Sequence, residues 1–372
     1  MGELGLLTLS FSIERSELFS IVEKIVMTCR KRMAGGGDVQ HFFYIRVEGQ
    51  GRTVKFSAYN TTRRIEILTD KVSIHKPFCV GVSASLLYSI LREIPDGQLS
   101  VDVEGGFRIG NASSRFNLDI LAPDHFPAVE DPGRTDWKPI DYDLLFTAIN
   151  KVRYCASDSD NNRIYTRALC VSSGYFMCTD GFRLSLYPNN IMEYGDLLIP
   201  AESCSALHSV FKDEKADGFI SCDESTLYFS KGGVYLSLRL LSGQVPKFTQ
   251  VLPKGPCVSC VIPRDMLRDA LRRVEIIAKD GSKVLAVDLT LSASGLLASS
   301  YRGAYSAREI IPMTYEGESL SIKANLGYIL EATKSLQGDE VVLEIRGKQL
   351  PIVLTDKKGE HKNVIMPLAE RT

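Results

Sequence analysis

The sequence predicts an α+β fold in which one unit, two helices packed on antiparallel sheets, occurs three times along the chain. Three observations carry that reading. A helical stripe recurs in register, a second short helix follows each copy at a similar interval, and runs of alternating apolar residues lie between and after them.

The first helices are read from "SIERSELFSIVEKIV", "PIDYDLLFTAINKV" and "VIPRDMLRDALRRVEII". Aligned on an opening isoleucine, they bring Ile13, Ile140 and Ile262 together, then Leu18, Leu145 and Leu267, then Val22, Ile149 and Leu271, then Ile25, Val152 and Val274. The last three of each set fall at i, i+4 and i+7, the spacing of one buried face. The second helices are read from "GVSASLLYSIL", "LIPAESCSALH" and "SIKANLGYILE". In each, a strand residue (Val82, Ile199, Ile322) is followed two places on by an alanine (Ala84, Ala201, Ala324).

Strands follow in "QLSVDVEGGFRIGNASSRFNLDIL", "GFISCDESTLYFSKGGVYLSLRLL" and "VVLEIRGKQLPIVLTD". Leu99, Val101 and Val103, or Val341, Leu343 and Ile345, keep the period of two of a half-buried strand. Between the two helices of each copy lie strand pairs closed by polar turns: "VKFSAYNTTRRIEI", "YFMCTDGFRLSLYP" and "LLASSYRGAYSAREII". The expected domains are residues 1–128, 129–253 and 254–372, each within the usual range of roughly 100–200 residues. Their boundaries fall in the Pro- and Gly-rich "APDHFPAVEDPGRTD" and in "VLPKGP".

The middle turn, Thr179-Asp180-Gly181 with Arg183 beyond it, has the residue types of an acid/base loop. Its sister turns carry Asn60 to Thr62 and Arg302 to Ala304, so turn chemistry explains it better: Asp bonds the backbone two residues on, and Gly accepts positive φ. An enzyme built on Asp180, Arg183 and His208 finds little support. His41, His75, His125, His208 and His361 are isolated in the sequence, and "AGGGD" lacks the lysine and spacing of a phosphate loop. Cys257 and Cys260 sit in a β-branched run where residues i and i+3 point to opposite faces, a poor pair of ligands for one metal. The expectation is a protein without catalytic residues, metal or cofactor.

Hydrophobic content of 44% with 24% charged residues is that of a globular chain with real cores. A net charge of -1 excludes a protein that grips nucleic acid by global charge, though not one with a local positive face. The nine cysteines, an odd number, argue against a disulfide framework. Glu3 stands where a signal peptide wants basic residues, and the longest uncharged run, between Lys76 and Arg92, falls short of the roughly 20 residues of a membrane span. These features point to a cytoplasmic protein with no membrane partner.

One coincidence remains in the first helices: the residue before Ile25, Val152 and Val274 is Lys24, Lys151 and Arg273, a cation each time. Nearby lie Arg30, Lys31 and Arg32, then Arg153, then Arg264, Arg268, Arg272 and Lys279, against Glu17, Glu23, Asp143, Asp265, Asp269 and Glu275. Set side by side, such helices would form a positive lining suited to phosphate contacts without base readout.

At this point the chain resembles the bacterial sliding clamps, the β subunit of DNA polymerase III. The resemblance runs from about Leu7 onward and is carried by "SRFNLDILAPDHFP", "CTDGFRL", "GQVPKFTQVLPK", "IKANLGYILEATKSL" and "NVIMPL", in family order on the repeat. It implies a head-to-tail homodimer closing a ring around duplex DNA without sequence preference. Inner helices would face the DNA, through Lys24, Arg30, Lys31, Arg32, Lys151, Arg153, Arg163, Arg268, Arg272, Arg273 and Lys279.

The resemblance also implies a hydrophobic pocket for a peptide motif of the polymerase α subunit, the clamp loader and other partners. By motif, the pocket would use Thr179, Gly181, Phe182, Arg183 and Leu184, then Pro246, Gln250 and Val251, then Val364, Ile365, Met366, Pro367 and Leu368, with Tyr165 and Gln349 beside them. Burying two Leu/Phe-type anchors at about 1.5 to 3 kcal/mol each, less ordering costs, implies roughly micromolar affinity.

Departures from the family pattern are expected to matter. Phe182 stands where the family often has histidine, Gln250 where arginine is common, and "SDNNRIYTR" keeps only Arg163 and Tyr165 of a DNA-contact loop. They allow a specialised clamp paralog with its own partner or inhibitor at the same pocket.

Overall fold

A computed structural model describes residues 10–29, 43–126, 136–158, 163–212, 214–279, 284–313, 315 and 317–369. Six helices lie among them: α1 (Arg15–Cys29), α2 (Ala84–Glu93), α3 (Tyr142–Val152), α4 (Ala201–Phe211), α5 (Arg264–Ala278) and α6 (Leu326–Ser335). The aligned positions predicted for the first helices are all buried, from Leu18, Val22 and Ile25 in α1 to Leu267, Leu271 and Val274 in α5. Asn325 caps α6 by accepting from the Gly327 N–H, and Ser83 caps α2 from the Leu86 N–H, so these helices start where the alternating strand pattern stops. Among the described residues no helix is long and apolar enough to cross a membrane.

The strands form antiparallel sheets that run past the repeat boundaries. A nine-stranded sheet carries Tyr44–Gln50, Thr53–Tyr59 and Arg63–Thr69 from the first repeat, then Val234–Arg239, Thr226–Lys231 and Gly218–Cys222 from the second. The join is Arg63–Thr69 against Val234–Arg239, with Ile65 opposite Leu236 and Ile67 opposite Val234. An eight-stranded sheet makes the corresponding join between the second and third repeats, with Arg183–Pro188 against Lys362–Ile365. A five-stranded sheet ends on Arg115–Leu118 and a four-stranded sheet ends on Tyr305–Ile311.

Compactness therefore divides the chain into two units. One holds Met1–Tyr142 and Glu202–Leu240, the other Asp143–Ala201 and Leu241–Thr372, so the middle repeat contributes a part to each. In the first unit Phe11, Phe56 and Phe107 are fully buried beside α1 and α2 residues such as Leu18 and Leu87. The second unit has two apolar clusters. The larger surrounds α5 and α6, with Leu271, Val274, Leu289, Ile329, Leu354 and Ile365; the smaller holds Ala168, Met177, Leu184, Leu186, Leu198, Phe248, Val353 and Val364.

Candidate functional site

The smaller cluster lies in the second unit, where the hairpin Tyr175–Thr179 and Arg183–Pro188 meets the C-terminal strand Lys362–Ile365. The turn between the hairpin strands is held as the sequence implies. Asp180 Oδ1 accepts from the N–H groups of Phe182 at 2.9 Å and Arg183 at 3.0 Å, and Gly181 has φ 95°. Thr179 is buried; its hydroxyl accepts from the Gly181 N–H and donates to the Arg183 carbonyl, so it builds the turn.

Strand alternation then sorts the neighbours. Leu184 joins the smaller cluster, with Val364 opposite it, while Phe182, two residues earlier, is 64% exposed. The Met366 N–H donates to the Phe182 carbonyl at 2.9 Å, which ties Met366, itself 41% exposed, to the Phe182 backbone. A short turn at Phe248–Gln250 closes another side. Phe248 is buried in the cluster, edge-on to Tyr165 at 6.0 Å, and Val251 follows it 55% exposed. Pro246 sets this turn by accepting from the Phe248 N–H at 2.8 Å, and Gln250 is exposed on it. Phe182, Val251 and Met366 are thus exposed apolar residues that lie within three residues in the chain of the cluster members Leu184, Phe248 and Val364.

Several expected pocket residues have their contacts elsewhere. Ile365 belongs to the larger cluster on the opposite face, because it is one residue out of phase with Val364. Arg183, out of phase with Phe182 and Leu184, also turns away. Its Nε donates to Asp180 at 3.0 Å, one terminal nitrogen to the Tyr154 carbonyl at 2.8 Å and the other to Glu331 on α6. Pro367 and Leu368 are half-buried, and the Leu368 N–H donates to the Lys323 carbonyl at 2.8 Å, so the tail leaves this sheet for the strand Leu320–Asn325. Gln349 is exposed in the loop before Ile352–Asp356. Lys362–Ile365 is an inner strand, with a partner on both sides.

Behind the hairpin lies a buried polar seam that the sequence did not disclose. Ser185 Oγ donates to the Lys151 carbonyl at 3.1 Å, which leaves His361 Nε2, 2.9 Å away, to donate to Ser185. Tyr154 donates to Asn363, and Ser335 donates to Tyr154 at 3.3 Å. The histidine and serine look like a nucleophile and base, yet they are 1% and 0% exposed and the serine proton is already committed. Burial, then the Lys151 charge, push the His361 imidazole down to about 3, so it stays neutral.

The in-register cations are largely occupied by the protein itself. In the first unit Lys24 pairs with Glu214. In the second, Lys151 is half-buried and donates to the Ser335 carbonyl, and Arg273 forms a two-pronged pair with Glu309 at 2.8 and 2.9 Å. Lys24 and Lys151 are therefore engaged within the fold: each sits one place before a buried stripe residue, close to the interior. Arg268 pairs with Asp265 and Asp269, Lys279 with Glu275, and Arg272 is exposed. Arg163 is exposed and lies near Gly181, and Arg153 is half-buried just beyond α3. Arg30, Lys31 and Arg32 lie outside the described residues.

Sequence reasoning missed Phe248, Tyr328 and Glu331. Tyr328 and Glu331 are three apart on α6, the spacing of one helix face, which was the available signal.

Comparison with known proteins gives a consistent result. The family model for the DNA polymerase III beta subunit, N-terminal domain, matches residues 9–130, and that for the C-terminal domain matches residues 249–369. The beta sliding clamp of Staphylococcus aureus strain Mu50 is 24% identical over 341 residues, 87% of this chain and 90% of its own. Among solved structures, the DNA polymerase sliding clamp of Bacillus subtilis has a TM-score of 0.89 at 21% identity, covering 98% of this chain and all of its own. A sliding clamp from Bartonella birtlesii, solved bound to griselimycin, has a TM-score of 0.88 at 23% identity over 97% of this chain and 100% of its own. With a beta-subunit model matched at each end and the clamp fold found along nearly its whole length, the chain belongs to the DNA polymerase III beta subunit family, the beta sliding clamps.

Proposed function

We propose that this chain works as a non-catalytic processivity factor: two copies close head to tail around duplex DNA and hold the polymerase there through a peptide segment. Three clamp domains per chain, at 1–128, 129–253 and 254–372, complete the proposed ring. The observation that carries the tethering role is the exposure of Phe182, Val251 and Met366, each a few residues in the chain from a member of the apolar cluster at Leu184, Phe248 and Val364. Such a surface takes the leucine and phenylalanine side chains of a short extended peptide, with Leu184, Val364, Tyr165 and Phe248 as its floor.

Closure of the ring is supported by two open sheet ends. Arg115–Leu118 presents Phe116, and Tyr305–Ile311 presents Tyr305 and Ile310, with Ile276 exposed on α5. A strand edge with exposed apolar side chains is an aggregation hazard unless another chain covers it, and pairing these two edges between copies would cover both. The DNA-facing role falls on Arg272, with Arg153, Arg163, Arg268, Arg273, Lys279 and the segment Arg30 to Arg32. Ion pairs at Arg268, Arg273 and Lys279 keep that face weakly attractive, which suits a protein that must slide.

The test is retention on DNA. Loaded onto a circular plasmid, the protein should stay through a moderate salt wash and be lost when the circle is cut; loss that follows salt and ignores cutting would mean ordinary electrostatic binding. Sedimentation at micromolar concentration should give about twice the 41.2 kDa chain mass, and a strict monomer would refute the ring. The exposed Phe182 ring and uncharged Gln250 favour a second reading, a specialised paralog with its own partner at the same pocket. A peptide preference distinct from that of the polymerase tail would support it.

A further inference from the structure

We infer that Arg183 is a positioning residue for the pocket. It does not offer its charge to a bound peptide; it fixes the Phe182 and Leu184 wall against α6 and the segment after α3, an inference that rests on the pocket reading above.

Residue 183 is held at every polar atom. Its N–H donates to Asp180 Oδ1 at 3.0 Å and its carbonyl accepts from the Thr179 hydroxyl. Each guanidinium nitrogen has its own acceptor: the Asp180 carboxylate, the Glu331 carboxylate and the Tyr154 carbonyl. The guanidinium also lies over the Tyr328 ring at 4.2 Å, and over Tyr154 at 5.4 Å. With its side chain 10% exposed and two carboxylates beside it, the group has neither surface nor net positive charge left for a ligand.

The consequence passes one residue back. Phe182 is gripped on one side by Asp180 through its N–H and on the other by Met366, which donates to its carbonyl. A shift of Arg183 therefore moves Phe182 and Met366 together, and these are two of the three exposed apolar residues at the pocket mouth. A planar three-nitrogen fork can join a turn, a helix and a carbonyl at once, whereas a lysine supplies one nitrogen and reaches only part of that set.

The experiment titrates the full-length protein with a fluorescent short peptide carrying leucine and phenylalanine anchors, and follows hydrogen exchange at the Met366 amide. Arg183→Lys should weaken the peptide at least tenfold and speed that exchange, although the charge is kept. Glu331→Gln, which leaves every pocket side chain in place, should weaken it about threefold. The double variant should bind no worse than Arg183→Lys alone, because both break one latch. Wild-type affinity for Arg183→Lys, with Phe182→Ala weakened, overturns the positioning role and spares the pocket. A loss with Arg183→Lys but none with Glu331→Gln and no change in exchange overturns it in favour of direct contact with the peptide. Unchanged affinity for both Phe182→Ala and Met366→Ala removes the pocket itself.

Discussion

The hairpin at residues 53–69 and the hairpin at residues 175–188 are built alike and used differently. In each an Asx side chain accepts from the N–H groups two and three residues on: Asn60 from Thr62 and Arg63, Asp180 from Phe182 and Arg183. In each the arginine that ends the turn reaches back to a carbonyl at the end of the preceding helical segment, Arg63 to Thr28 and Arg183 to Tyr154, both at 2.8 to 2.9 Å. These carbonyls lack helical partners, so one guanidinium both caps a helix end and ties it to the hairpin. Arg302 repeats the contact to Ala278 at the longer distance of 3.5 Å. Among the differences at the turn, Thr62 is half-buried and polar where Phe182 is an exposed aromatic ring. The repeat supplies the scaffold, and a change of residue on it would supply the proposed binding surface.

The shared part of the construction should be the costliest to remove. Arg63→Ala leaves the Thr28 carbonyl without its partner in a buried site and is expected to cost about 2 to 4 kcal/mol. Urea unfolding measures it, and a loss under about 0.5 kcal/mol would mean the cap is ornamental. Arg183→Ala should cost less, because half-exposed Glu331 can return to water.

The seam behind the second hairpin adds a pH dependence. The folded His361 pKa, about 3, lies below the ordinary histidine value of 6.5, so between these limits the unfolded chain takes up a proton that the fold refuses. Stability should therefore fall as pH drops below about 6.5, with a slope of up to roughly 1.4 kcal/mol per pH unit from this group. His361→Gln should flatten that slope; an unchanged slope would assign it to other groups.

A smaller effect is expected at the turn itself. Gly181→Ala should cost about 1 to 2 kcal/mol because φ is 95°, and the nearest atom to the new methyl, on Arg163, is 3.9 Å away, so the cost is backbone strain alone. Thr61→Ala, at the matching place in the first hairpin, should be close to neutral in the same thermal unfolding assay.

The repeat, the helices and the Asp180 turn were legible because each is written in local spacing: a buried stripe at i, i+4 and i+7, alternation in strands, and an Asp-Gly turn with sisters. All aligned stripe positions, Ile13 to Val274, are buried. Motif transfer named a stretch of residues but not their facing. "CTDGFRL" and "NVIMPL" contain residues of both sheet faces, and only the register, Arg183 opposite Ile365 and Leu184 opposite Val364, separates the wall from the core. The destinations of Lys24, Lys151 and Arg183 were illegible for another reason. Their partners Glu214, Ser335 and Glu331 are more than a hundred residues away, and no local pattern announces a tertiary ion pair or hydrogen bond.

The most direct test of the claim that one turn position makes the binding surface is an exchange between the two hairpins, read by peptide anisotropy and thermal unfolding. Phe182→Thr should leave stability within about 0.5 kcal/mol of wild type and weaken a leucine- and phenylalanine-bearing peptide at least tenfold. Full peptide affinity in a folded Phe182→Thr protein would contradict the account.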